Sequence, residues 1–261
     1  MDDFPTVLRL LRARSAISQR RLAEVAGVSA RHISWLETGR ARPSRHMVCT
    51  LGAALESSFR ETNLMLDAAG FSPEFREHTL DHPDMQPVRQ AVELLLRSHD
   101  PLPGLVVDRR WNAVLVNRGF AELHRQVTGE QLTALQVLAD GTNLVDAFFH
   151  NYRPYVLNFD EAIAQLLPRL ERQALVDPST RRRLEAWSTH LAVASAGPID
   201  TGAVVYFDLA LADVRLKLFT TFTMLGMPND ITSQELSVEL FHPADAFTRA
   251  VFQNEPATTP Q

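Results

Sequence analysis

The chain has 261 residues, 45% of them apolar, and a formal net charge of −5. That length fits one large domain or two ordinary ones, able to bury a core without staples. A single cysteine, Cys49, excludes a disulfide framework and an all-cysteine metal site, and no apolar run is long enough to span a membrane.

The opening MDDFPTVLRLLRARSA has no apolar h-region, so no secretory leader is expected and a reducing cytoplasm is the expected compartment. Phe4, Val7, Leu8 and Leu11 follow helical spacing. Ser18 is an N-cap candidate before a stripe of Leu22, Ala23 and Ala26, and Gly27 stops that helix. Ser29 caps the next, which carries Ile33 and Leu36 inward and stops at Gly39. Pro43 and Ser44 open a fourth helix through Met47, Val48, Leu51 and Leu55. Ser57 or Ser58 caps a fifth, with Phe59, Leu64 and Leu66 inward and an end at Gly70. Residues 71–87 are rich in proline and charge, have no periodic apolar face and read as a linker.

The second half mixes types. Residues 88–98 read as helix, and LVVDRRWNAVLVN (105–117) as two short strands around a turn at Asp108–Arg110. Helical spacing returns over 119–127, 142–152 and 159–176, and Pro178 and Ser179 start another helix through Trp187 and Leu191. Residues 203–225 are strand-like, PND (228–230) predicts a turn, and ELSVELF (235–241) alternates again as the other member of an antiparallel pair. The tail after Phe252 is expected to be disordered.

Charge divides the chain as well. Residues 1–60 hold ten arginines against five acids, a net +5, which leaves −10 for the rest; Lys217 is the only lysine. A basic head on an acidic body predicts a polyanion partner for the head alone, against the blander reading of solvated arginines.

The segment SQRRLAEVAGVSARHISWLETG (18–39) resembles the helix-turn-helix of the Xre family of phage-repressor-like regulators. Ala23 is small where the two helices cross, Gly27 makes the turn, and Ser29 caps a second helix whose outer face is free to enter a major groove. The resemblance implies that Gln19 meets backbone phosphate and braces a recognition side chain. Ala30, Arg31, Ser34 and Trp35 lie on that helix's outward face, with Arg31 the natural reader of guanine. Arg40, Arg42 and Arg45 surround the next helix start, where backbone N–H groups also favour an anion. The resemblance also implies an internal ion pair of Arg12 with Glu37, which would otherwise be out of place in a polyanion-binding head.

The AGFSPEF junction, PGLVVDRRWNAVLVNR and the later NLVDAFFH and NFDEAIAQLLPRL resemble the MmyB-like group, which pairs an Xre head with a PAS-like ligand-binding domain. The resulting fold class is an all-α five-helix head followed by an α+β PAS-like domain with an antiparallel sheet. The divisions are 1–70 for the head, 71–87 for the linker, 88–252 for the ligand-binding and dimerisation domain and 253–261 for the tail. Aromatic residues crowd 148–159 and recur on the late strands. Trp111, Phe148, Tyr152, Tyr155, Phe159, Phe219 and Phe222 are candidates to line an apolar cavity, with Arg153 to meet a ligand carboxylate; the alternative is a solid core. No catalytic or metal motif is present in the histidines, the adjacent Asp160 and Glu161, or Cys49, so no enzyme, metal or other cofactor is expected.

The reading is a cytoplasmic, nucleoid-associated homodimeric regulator that binds a double-stranded DNA operator, has no membrane partner, and senses a small apolar molecule such as a fatty acid. The alternative is a constitutive dimeric DNA- or protein-binding regulator with no ligand.

Overall fold

The computed structural model describes residues 3–136, 143–174, 177–187, 204–211, 214–226 and 228–253. The predicted run of the 178 helix to Leu191 and the predicted tail beyond Gln253 lie outside them. The chain divides into two compact units, Met1–Thr79 with Gly226–Gln234, and Leu80–Leu225 with Glu235–Gln261.

The first unit is built on five helices: α1 (Phe4–Arg14), α2 (Gln19–Ala26), α3 (Ala30–Glu37), α4 (Arg45–Ala54) and α5 (Phe59–Ala68). Asp3, Ser18, Ser29, Ser44 and Ser58 each accept the backbone N–H three residues on, at 3.1–3.2 Å, which satisfies an orphan donor of the helix each one opens. Of the two serines expected at α5, Ser58 is the cap: Glu61 returns its carboxylate to the Ser58 N–H at 2.8 Å. Gly27, at φ +68°, makes the left-handed turn between α2 and α3 that a side chain would strain.

Phe4, Leu8, Leu11, Leu22, Ile33, Leu36, Leu51, Met65 and Leu66 form one buried core. Leu64, expected inward, is 45% exposed. The buried face of α5 runs through Thr62, Met65 and Leu66, and the helical period turns residue 64 away from it. Residues 71–77 lack a periodic pattern yet are tied to the helices. Phe75 stacks on Phe59 (4.0 Å between centroids), and the Asn63 side chain bonds the backbone of Glu74 and Phe75. Residues 226–234 join the same unit. Gln234 accepts the Phe59 N–H at 2.7 Å, and Asp230 meets His78 Nδ1 at 2.8 Å.

The second unit opens with α6 (Gln86–His99), then β1 (Gly104–Val107), β2 (Ala113–Val116) and α7 (Arg118–Thr128). A short α8 (Leu144–Ala147) runs into one π-helical turn at Phe148–Tyr152, followed by α9 (Phe159–Ala174) and α10 (Pro178–Ala186). Then come β3 (Tyr206–Leu211), β4 (Val214–Met224), β5 (Ser237–Pro243) and α12 (Ala246–Gln253); between β4 and β5 the chain forms α11 (Ile231–Glu235), all but the last residue of which belongs to the first unit. The sheet order is β2-β1-β5-β4-β3, antiparallel throughout. The five-helix head and this α+β unit with its antiparallel sheet are the fold class that the sequence predicts.

Two details differ from expectation. The stretch 203–225 contains two paired strands, β3 and β4. The PND turn opens α11 before β5 begins, because the Asp230 carboxylate accepts the Thr232 N–H at 2.9 Å and so caps a helical turn. The outer edge of β3 is covered, and β2 is bonded at its end. Residues 155–157 bond the outer side of β3 (Leu157 N–H to Asp208 O, 2.7 Å; Ala210 N–H to Tyr155 O, 2.8 Å), and Leu135 donates to Val116 at the end of β2 (2.8 Å). A covered edge, as at β3, does not template further strand pairing.

Candidate nucleic-acid interface and ligand cavity

The first unit sorts its arginines by partner. Arg12 pairs with Glu37, Arg14 with Glu61, Arg20 and Arg21 with Glu24, Arg45 with Glu74, and Arg60 with Glu77. Among the described residues Arg9, Arg31, Arg40, Arg42 and Arg76 are exposed and meet no carboxylate; Arg9 donates to Thr6 Oγ1 at 3.3 Å on α1 and Arg76 lies beyond α5, which leaves Arg31, Arg40 and Arg42. These three lie on α3 and just after it, where uncompensated charge is available to phosphate or a base edge.

The other expected contacts fall as follows. Ala30, Arg31 and Trp35 are exposed on α3, Ser34 is half-buried beside them, and Ser29 caps the helix. Gln19 donates to Glu37 at 2.7 Å and so braces the far end of α3. Arg45 donates to the Ser72 carbonyl at 2.6 Å as well as to Glu74, so in this structure its guanidinium is held by the chain itself.

In the second unit, α7, α8, the π turn and α9 face the sheet across an apolar cavity of about 90 Å³. Trp111, Phe120, Phe148, Phe149, Tyr152 and Ile163 are among its walls, and Phe207, Glu239 and Phe241 reach it from the sheet. The π turn, a geometry that recurs at functional sites, sets Phe148, Phe149 and Tyr152 in the wall. The Tyr152 hydroxyl bonds His124 Nδ1 at 3.0 Å, and burial pushes its phenol above the ordinary tyrosine range. Trp111 sits at φ +64°, a strained conformation for a tryptophan. Its indole N–H donates to Gln173 Oε1 at 2.8 Å, and its carbonyl accepts from Leu144 at 2.8 Å.

Family comparison divides the chain in the same two parts. A helix-turn-helix domain matches residues 4–78, and the MmyB-like transcription regulator ligand binding domain matches residues 88–254. The chain belongs to the MmyB-like transcription regulators. A comparison with curated proteins found no match. As an MmyB-like regulator it pairs a DNA-binding helix-turn-helix with a ligand-binding domain, both regulatory modules. No helix among its described residues is long and apolar enough to cross a membrane.

In this MmyB-like domain the predicted ligand residues separate into groups. Trp111, Phe148 and Tyr152 line the cavity. Phe159 stacks on Phe148 (4.7 Å) and Phe222 stands edge-on to Trp111 (5.9 Å), one ring behind the wall. Tyr155 borders a different, wider pocket with Leu211 and Phe252. Phe219 stacks on His242 (5.1 Å) on the opposite side of β4 from Leu216 and Leu218. Arg153 is exposed, its guanidinium 4.7 Å over the Phe159 ring. Phe207, one of the late-strand aromatics, does reach the cavity, whereas sequence reading missed Phe120, Ile163, Glu239 and Phe241. Strand alternation, which puts 207 with 209 and 239 with 241, was the available signal for the sheet side.

Proposed function

We infer that this MmyB-like regulator is a sequence-specific operator-binding homodimer whose second domain senses a small apolar ligand of the fatty-acid kind and catalyses nothing. The supporting observation is the cavity, whose walls are carbon almost throughout and which lies inside the domain that matches as ligand-binding. At about 90 Å³ it is smaller than the roughly 150 Å³ that accepts benzene in an engineered apolar site. An acyl chain therefore enters only if the wall moves, and the π turn is a segment already away from regular hydrogen bonding. The same small volume favours the second reading, a constitutive dimerisation module without ligand.

Decanoate separates the two. In excess it should raise the melting temperature of the second domain by several degrees through mass action, and Phe148→Trp, which fills the space, should abolish that rise. An unchanged melting curve with decanoate selects the constitutive module. A ligand alters DNA affinity only if it binds two dimer arrangements unequally.

For the DNA side, Arg31→Ala should cost about 1–3 kcal/mol and relax specificity at one base pair, while Arg42→Ala should weaken all sequences alike and reduce the salt slope by about one. A titration across operator variants and salt reads both. Equal, sequence-independent losses would make Arg31 a phosphate contact. One head offers few base contacts, so two should act together on an inverted repeat with recognition helices about 34 Å apart. Sedimentation of the full chain should give twice its 29.2 kDa mass; a monomer at high micromolar concentration would remove the dimer.

A further inference from the structure

We propose that Trp35 is a positioning residue for base reading: it holds the Arg31 guanidinium over its ring, so that a guanine meets an arginine already oriented, and it thereby sets how strongly each head prefers guanine. The proposal rests on the reading of α3 as the base-reading helix.

The outward face of α3 is sparse. Ala30 and Ser34 are short, so the long side chains there are Arg31 and Trp35. They stand four residues apart, one above the other on the same helical face. The Arg31 Cζ lies 4.4 Å from the Trp35 ring centroid. Ile33 and Leu36 on the same helix are fully buried, whereas Trp35 is 37% exposed. More than a third of its surface thus lies outside the core, and its described partner is an arginine. Among the described residues no carboxylate competes for that arginine.

The chemistry follows from the shape of the guanidinium. Stacking on an indole uses its face and leaves the N–H donors around its perimeter, in the plane that bidentate pairing with guanine O6 and N7 requires. A free arginine on an exposed helix loses several rotamers when it docks. Stacking on Trp35 removes much of that freedom beforehand, so less binding energy is lost to ordering. The same restraint raises discrimination, since an arginine held over Trp35 cannot swing aside to relieve a mismatch with adenine.

The test uses the full chain. A randomised duplex pool first gives the preferred half-site. Affinities of wild type, Trp35→Ala, Trp35→Phe, Arg31→Ala and the Ala/Ala double variant are then measured on that duplex and on one with the contacted guanine changed to adenine. Melting curves check that each head is folded. The expected results are a guanine preference lowered about 2- to 5-fold by Trp35→Ala, retained in large part by Trp35→Phe, whose ring also offers a π face, and abolished by Arg31→Ala. Trp35→Ala should cost nothing further once Arg31 is absent. The proposal is overturned if Arg31→Ala abolishes the preference while Trp35→Ala leaves it intact, or if Trp35→Ala costs as much without Arg31 as with it. If Arg31→Ala itself leaves the guanine preference unchanged, the base-reading role of Arg31 falls, and the proposal with it.

Discussion

Asn117→Ala is expected to destabilise the second unit by about 3–5 kcal/mol, because it strands several buried backbone groups at once. Asn117 has no exposed surface. Its Oδ1 accepts the N–H of Gly104 and of Phe120, both at 2.9 Å, and its Nδ2 donates to the carbonyls of Leu96 (3.2 Å) and Leu102 (2.8 Å). One side chain thus joins the end of α6, the start of β1 and the first turn of α7. Its cap on α7 alone is worth about 1 kcal/mol; each stranded donor or acceptor adds its own desolvation cost. The neighbourhood is tight: a Cβ at Gly119 would lie 2.3 Å from the Pro101 carbonyl oxygen, so the backbone there has no slack to re-form these bonds. Since α7 supplies Phe120 and Leu123 to the cavity wall, the variant should also lose any response to decanoate. Urea unfolding of the full chain should show one transition move, that of the second unit, with the head's transition in place. A loss below about 1 kcal/mol would mean that water takes over the four bonds.

The head was legible because its determinants are local. A serine followed three residues on by a helical N–H, or a glycine where the chain must turn left-handed, is decided within a few residues. The placement of Ser18, Gly27 and Ser29 therefore survives in the structure. The Arg12–Glu37 pair spans 25 residues and was reachable only through the family resemblance. The cavity was less legible. Its walls come from α7, α8, α9, β3 and β5, and no local pattern marks their convergence. The π turn adds a residue to one helical turn, which shifts the face of everything after Phe148 and defeats extrapolation at period 3.6. Tyr152 lies in the wall, and Arg153, just past the π turn, is exposed over the Phe159 ring. Phe219 and Phe222 are a different case. Three residues apart on one strand, they cannot share a face, and the alternation of Leu216, Leu218 and Thr220 already placed 222 inside and 219 outside. Leu64 failed for the same kind of reason, since it is out of phase with Thr62, Met65 and Leu66.

Glu37→Gln is expected to cost the head about 2–3 kcal/mol and to remove most of its sensitivity to acid. The Glu37 side chain is 3% exposed. It accepts from Arg12 Nε at 2.6 Å, from Arg12 Nη2 at 3.1 Å and from Gln19 Nε2 at 2.7 Å. Arg12 also donates to the Ile17 carbonyl at 2.9 Å, so α1, the α1–α2 connection, the start of α2 and the end of α3 meet at one carboxylate. Burial pushes the Glu37 carboxyl upward, but the hydrogen bonds from Arg12 and Gln19 and the charge of Arg12 outweigh it and hold the group below the ordinary carboxylate range. A depressed value fixes the sign. The stabilisation is fully present above about pH 4.3, the ordinary glutamate value, and fades as pH falls through the lower value of the folded head. Glutamine keeps the shape and two of the contacts but leaves Arg12 without a counter-charge. The cost stays below the figure of about 3–5 kcal/mol for a fully buried broken pair because Arg12 is 21% exposed and partly solvated. Because this carboxylate locks the C-terminal end of α3 to α1 and α2, loosening it should also lower operator affinity at temperatures where the head remains folded, without changing which base is preferred. Melting curves from neutral pH down to about pH 3 for wild type and Glu37→Gln decide the matter. Curves that fall in parallel would show that the apolar contacts of Leu8, Ile33 and Leu36 hold α3 by themselves.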